Sequence, residues 1–275
     1  MNSALIAVHR ETIPVYKIVV SILAALLISV WLVPSSIFAQ PSEPTETLLN
    51  RASVNIDAGD EERALAIYRD ILMWEPANYE ALWNASLLYT RKGHYQQTER
   101  RKINYFTRAR ELAVIAIEVH PDKPRSHYVY GISTATLVDL MPNSAERIQL
   151  IWDIRKHANR AAELDPNYAP TWHLLGIWNS KLANTSRAER LGARMIYGRL
   201  PDDASHAKAE EYLKRAIRLD PNEILFHVDL AQHYMASGQH TKAKPILERV
   251  LVMNTVSESD RFYMAEAREN LSQIR

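Results

Sequence analysis

"RLDPNEILFHVDLAQHYMASGQHTKAKPILERVL", residues 218–251, decides the fold. Apolar residues recur three and four apart after Asp220-Pro221-Asn222, Gly238 interrupts them, and a second run of the same period follows. Such a pattern predicts two amphipathic helices joined by a tight turn. Three upstream breaks share the form: "MWEPAN" at Pro76, "EVHPDK" at Pro121 and "ELDPNY" at Pro166, so the prolines recur at spacings of 45, 45 and 55. Between them Ala, Leu, Glu and Arg dominate, and no segment reads as a strand.

A helix pair ending in Asp-Pro-Asn resembles the tetratricopeptide repeat, about 34 residues long with small residues at fixed places. With the proline as position 32, the last unit, 224–257, fits without gaps: Leu230 at 7, Ala231 at 8, Tyr234 at 11, Gly238 at 15 and Ala243 at 20. The same register divides the chain into units 45–78, 79–123, 124–168 and 169–223, followed by a capping helix over 258–275. Gly131 and Gly176 fall at position 8, where paired helices press close, while Gly59, Gly93 and Gly238 fall at the inter-helix turn, where glycine permits positive φ. The middle units are stretched. The second carries 11 extra residues between Gly93 and Ala109, the third 11 between Gly131 and Ile154, and the fourth 21 between Gly176 and Ala209. In the fourth, the helix from Thr171 either overruns its stop or is joined by a separate helix through "SRAERLGARMIYG" before "LPDDAS" caps a helix from His206. The expected architecture is all-α, a tetratricopeptide-like α-solenoid of about five helix pairs over 48–257 with helical insertions in its middle repeats.

The 275 residues are 47% hydrophobic and 24% charged, which is a globular composition with ample core. The absence of cysteine excludes disulfides and thiolate chemistry. A basic start at Arg10 and Lys17, the apolar run "IVVSILAALLISVWLV" and "IFAQP" form the three parts of a secretory signal peptide cut after Ala39, with a linker over 40–47. The rival reading is an uncleaved anchor over 18–39, since a spanning helix needs about 20 apolar residues. Cleavage would make the chain exported, periplasmic or extracellular. It would also remove Arg10, Lys17 and Glu11 and take the net charge from +1 to neutral, without the basic excess of a nucleic-acid binder.

Catalytic and metal chemistry find little support. "GISTA" at 131–135 brushes against a nucleophile elbow around Ser133, but it lacks the second glycine and lies inside a helix. The close histidine pairs are six or seven apart, not the i, i+4 spacing of a helical zinc site. His173 reads as a hydrogen-bonded structural histidine. No glycine-rich phosphate loop is present, and no cofactor is expected. In tetratricopeptide arrays, first-helix positions 2, 5, 9 and 12 line the concave groove. The resemblance assigns these to Trp83, Leu87, Tyr128, Ile132, His173, Ile177, Val228, Gln232 and Met235. That apolar lining suits an amphipathic helix, an extended peptide or an acyl chain, unless the insertions fold over and bury it. The basic run Arg91, Lys92, Arg100, Arg101, Lys102, Arg108 and Arg110 reads as a solvated helix face, with anionic lipid or an acidic partner as the alternative it could meet.

The stretched units, in this order, resemble the regulator of microtubule dynamics family. The residues that carry the resemblance are "SHYVYGISTATLVDL" at 126–140, "IRKHANRAAELDPNYAPTWHLLGIW" at 154–178, "AERLGARMIYGRLPDDASHAKAEEYLKRAIRLDP" at 188–221 and "SDRFYMAEARENL" at 259–271. The resemblance implies a divergent tetratricopeptide-like domain, and in some animal members an N-terminal anchor with roles in tethering and phospholipid handling. The leader pattern implies an exported bacterial member, to which a microtubule role does not apply. The expected function is a non-enzymatic scaffold that takes a protein or peptide in its concave face, or, as the alternative, a carrier of a lipid or other apolar ligand in an enclosed groove.

Overall fold

Twelve α-helices, and no strand, make up residues 43–274, which are the residues described in the computed structural model. The leader region over 1–39 and the start of the linker lie outside the described residues. In chain order the helices are α1 (Thr45–Asp57), α2 (Glu61–Trp74), α3 (Tyr79–His94), α4 (Glu99–Val119), α5 (Pro124–Leu140), α6 (Ala145–Leu164), α7 (Ala169–Ala183), α8 (Arg187–Ile196), α9 (His206–Leu219), α10 (Ile224–Ala236), α11 (His240–Val250) and α12 (Glu258–Gln273). They pair as α1 with α2, α3 with α4, α5 with α6, α7 with α9 and α10 with α11, and each second helix packs on the first helix of the next pair. First helices also touch along the inner side, α3 on α5, α5 on α7, α7 on α10 and α10 on α12. This is a tetratricopeptide-like α-solenoid.

The starts follow local chemistry. Asp60, Asn78, Thr98, Ser144 and Ser205 each accept a bond from the backbone N–H three residues on, and Ser186 and Ser257 build full capping boxes. Proline stands in the first turn of α5 and α7, where its missing N–H costs nothing. The Asp-Pro-Asn signature has a direct cause. Asp165 and Asp220 each accept from the amide two residues on, closing the turn. The turn proline's carbonyl is then taken by a ring N–H at repeat position 4, from His127 to Pro121 at 2.8 Å, Trp172 to Pro166 at 2.8 Å and His227 to Pro221 at 2.9 Å. Three side chains, of two residue types, thus satisfy one recurring backbone acceptor.

Two glycines set the spacing of the pairs. A Cβ at Gly176 would lie 2.6 Å from Leu213 Cγ and 3.1 Å from its backbone nitrogen, and one at Gly131 would lie 2.7 Å from a Leu174 methyl. Gly59 and Gly238 have positive φ at inter-helix turns. Gly93 does not. It stays helical near the end of α3 and is small because the Phe106 ring of α4 occupies the place its Cβ would take.

The extra residues of the middle units go into helix. In the second unit they lengthen α4 to 21 residues, and in the third α5 and α6 reach 17 and 20. In the fourth, α7 stops at Ala183 and a separate helix, α8, follows. Among the described helices α8 alone has no buried residue. It is tied to its flanks: Arg190 of α8 donates to the carbonyls of Leu182 and Pro201, and the Trp152 indole donates to the Arg199 carbonyl at 3.0 Å.

The C-terminal helix returns to the first pair. Ser259 on α12 donates to Glu61 on α2 at 2.9 Å, and the Phe262 and Tyr95 rings lie 6.1 Å apart. The Val256 carbonyl comes so near Gly59 that no Cβ would fit between them. Glu61 also accepts from the Tyr95 hydroxyl at 3.3 Å and pairs with Arg91 at 3.5 Å, whose other nitrogen reaches Glu223 of the α9–α10 turn at 3.6 Å.

Candidate functional site

The nine positions assigned to the concave face do not form a free surface. Tyr128, Ile132, His173 and Val228 are buried, and Trp83, Leu87, Ile177, Gln232 and Met235 are half-buried. Trp83 donates to Glu80 at 2.9 Å and is covered by the Arg125 guanidinium, 5.3 Å from its ring, which also lies 4.5 Å over Tyr168. Tyr128 meets Tyr168 edge-on at 5.2 Å. His173 lies 2.6 Å from the Asp229 carboxylate and stacks on Phe226 at 4.7 Å, and Gln232 donates to Glu266 of α12 at 2.7 Å. The reason is geometric. First helices press on one another, so side chains aimed at the axis meet each other, with α12 across from them. Burial pushes the Tyr128 and Tyr263 hydroxyls well up, and it raises Glu266 too, helped by Asp229 and Glu269.

The basic run is largely spoken for. Arg91 serves Glu61 and Glu223, Lys92 pairs with Glu62 at 2.5 Å, Arg108 with Glu111 at 2.8 Å, and Arg110 lies 5.5 Å over the Tyr130 ring. Arg100 and Arg101 remain exposed. Ser133 is buried mid-helix and its hydroxyl bonds the Tyr130 carbonyl of its own turn. Among the described residues no three His, Asp or Glu side chains converge on a point that could hold a metal ion.

One histidine pair carries a pH dependence. His127 and His157 face each other Nδ1 to Nδ1 at 2.9 Å, and His127 Nε2 lies 2.8 Å from the Pro121 carbonyl. The carbonyl requires the His127 proton on Nε2, so its Nδ1 accepts and His157 Nδ1 donates. A second proton on His127 would occupy the accepting Nδ1 and break this arrangement. Burial, then the His127 ring, pushes His157 down to about 4, and burial lowers His127 also. Folded-state values below the unfolded value mean full stability above about pH 6.5, lost as pH falls toward 4. Urea midpoints of the wild type should therefore fall across that window, and His157→Gln should flatten the fall; equal slopes would remove the pair from the account.

A partly open pocket lies elsewhere, between the end of α5, α6, α7 and the inserted α8. It is a cavity of about 480 Å³. Its floor is Ile148, Ile151 and Ile154 of α6 with Leu174, Trp178 and Leu182 of α7. Gly192, Ala193 and Ile196 of α8 roof it, and Leu200 closes one end. Polar groups gather at the rim, where Lys181 pairs with Asp139 and Arg147 is held by the Val138 carbonyl and Asn143. Of the nine assigned groove residues, only Ile177 lines it. The sequence signal for this site was the third-residue apolar spacing 148, 151, 154 beside an insertion that must cover something.

A family model for regulator of microtubule dynamics protein 1-3 matches residues 48–275. The chain belongs to this family. Regulator of microtubule dynamics protein 1 of Pongo abelii is 28% identical over 181 residues, 64% of this chain and 55% of that protein. The Homo sapiens protein 1 is 32% identical over 114 residues, 42% of this chain and 36% of its own length. Protein 3 of Xenopus laevis is 22% identical over 230 residues, 82% of this chain and 50% of that protein. The match thus spans about half or less of the length of each of these three relatives. A thermophilic TPR protein of Thermus thermophilus shares the fold, with a TM-score of 0.58 over 82% of this chain and all of that one at 17% identity. The regulator of microtubule dynamics family model covers α5 to α9 entire, so the cavity and its α8 roof lie within the family domain.

Proposed function

We propose that this chain is a non-enzymatic helical-repeat binding protein whose ligand enters the cavity under α8. The observation that carries the reading is an apolar space of about 480 Å³ with a polar rim, while the concave positions are buried or half-buried. That volume lies in the range of ligand pockets, about 300–1,000 Å³. It is too small for a peptide helix, whose diameter alone is about 10–12 Å, but suits one apolar or amphiphilic chain with its polar end at Lys181 and Arg147. A protein or peptide partner on the concave face is the second reading, favoured by the solenoid fold. It requires the α12–α2 contact to part, since Tyr128 and Val228 are core residues. The N-terminal leader pattern supports placement outside the cytoplasm or at a membrane.

The test is titration of dansyl-undecanoic acid into the full chain and into Ala193→Trp, which fills the cavity from the least embedded helix. The wild type should bind one equivalent, and the variant should lose affinity at least about tenfold through overpacking of the site. Equal binding by both would remove the ligand from the cavity.

A further inference from the structure

α8 has two faces. Glu189, Gly192, Ala193 and Ile196 line the mouth of the cavity, with Ile196 still 71% exposed. The helical period places Leu191 and Met195 on the opposite side, with Arg187 and Arg194 along one edge. Leu191 and Met195 are 59% and 78% exposed. Large apolar side chains so exposed on a helix with no buried residue are unpartnered. Arg187 and Arg194 are exposed and have no carboxylate partner among the described residues, whereas nearby Asp202 and Asp203 are paired, with Arg199 and with Arg155 and Lys208. The outward side therefore offers an apolar strip beside two unneutralised positive charges on a short helix lying on the surface. That is the physical pattern of a helix that lies in a bilayer interface.

We propose that the outer face of α8 docks on an anionic bilayer, with Leu191 and Met195 entering the headgroup region and Arg187 and Arg194 meeting lipid phosphates. Charge complementarity chooses the occupant: a neutral apolar partner would leave both arginines unmatched, and an anionic surface satisfies strip and edge together. The proposal deepens the cavity reading, because the docked helix is the cavity's roof and stands between the bilayer and the apolar space.

The chain has no cysteine, so Met195→Cys labelled with an environment-sensitive NBD dye reports this face alone in the full chain, whatever the N-terminal segment does. Glu211→Cys on exposed α9 is the control. Vesicles containing phosphatidylglycerol should blue-shift and brighten the dye at 195 but not at 211, and phosphatidylcholine vesicles should do so weakly. Each arginine contributes about fivefold to partitioning onto an anionic surface, so Arg187→Glu with Arg194→Glu should weaken the response by at least about 25-fold, as should high salt. No response at 195, an equal response at 211, or a change that follows protein concentration without vesicles and so marks self-association would overturn the proposal. Dansyl-undecanoic acid binding that persists in such a case would show that docking has failed and the cavity reading has not.

Discussion

Glu61→Ala is expected to destabilise the domain by about 3 kcal/mol and to loosen α12 before any other helix. Glu61 is 4% exposed and accepts from Ser259 of α12 and from Arg91 and Tyr95 at the end of α3. Removing one partner of a buried ion pair typically costs about 3–5 kcal/mol, because the other charge is left behind. The lower end applies here, since the Arg91 side chain is 31% exposed and keeps Glu223 at 3.6 Å. Glu61→Gln retains an acceptor for Ser259 while losing the charge opposite Arg91, and should fall between Ala and wild type. Urea unfolding gives the totals, and amide exchange over 258–273 shows where protection is lost first. If both variants stay within about 0.5 kcal/mol of wild type, the contact between first pair and last helix contributes nothing to the fold.

The second large effect concerns the α7–α9 packing. Gly176→Val should cost about 3 kcal/mol, with thermal unfolding as the measurement. The new Cβ would meet Leu213 at its branch point and near its backbone, and Leu213 is itself fully buried, so neither helix can yield cheaply. Gly131→Ala provides the contrast. Its Cβ meets one Leu174 methyl, which a small χ rotation moves, and alanine gains about 1 kcal/mol of helix propensity over glycine. That variant should lie near neutral. Equal losses at the two glycines would mean that helix separation, not side-chain freedom, sets the cost at both.

These contrasts mark what can be read from the sequence alone. The repeat was legible because its signature is local: Asp165 and Asp220 close their own turns, Gly131 and Gly176 answer to a helix a few dozen residues away, and the 3.6 period follows from burial of one face. Membership of the regulator of microtubule dynamics family was legible in the inserted "AERLGARMIYGRLP". Gly93 misled, since a turn glycine and a close-packing glycine look alike until Phe106 is seen beside it. Whether the concave face is open was not legible. Tyr128 and Val228 occupy groove positions in the register, but their exposure depends on how far each pair rotates on the last, and small rotations accumulate from pair to pair. The cavity escaped for a related reason: Ile148, Ile151 and Ile154 read as an ordinary core stripe, and only the path of α8 shows that the stripe is roofed but not filled.

The bond from Ser259 to Glu61 spans 198 residues. An ordinary stack of helix pairs is one-dimensional: each unit is held by its neighbours, and terminal units fray first because they have a neighbour on one side only. Here the last helix is bonded back to the first pair, so fraying of α12 also takes a partner from Glu61 of α2. The domain should melt as one unit rather than repeat by repeat, and a partner that pulled α12 away would convert an all-or-none fold into a string of separable ones.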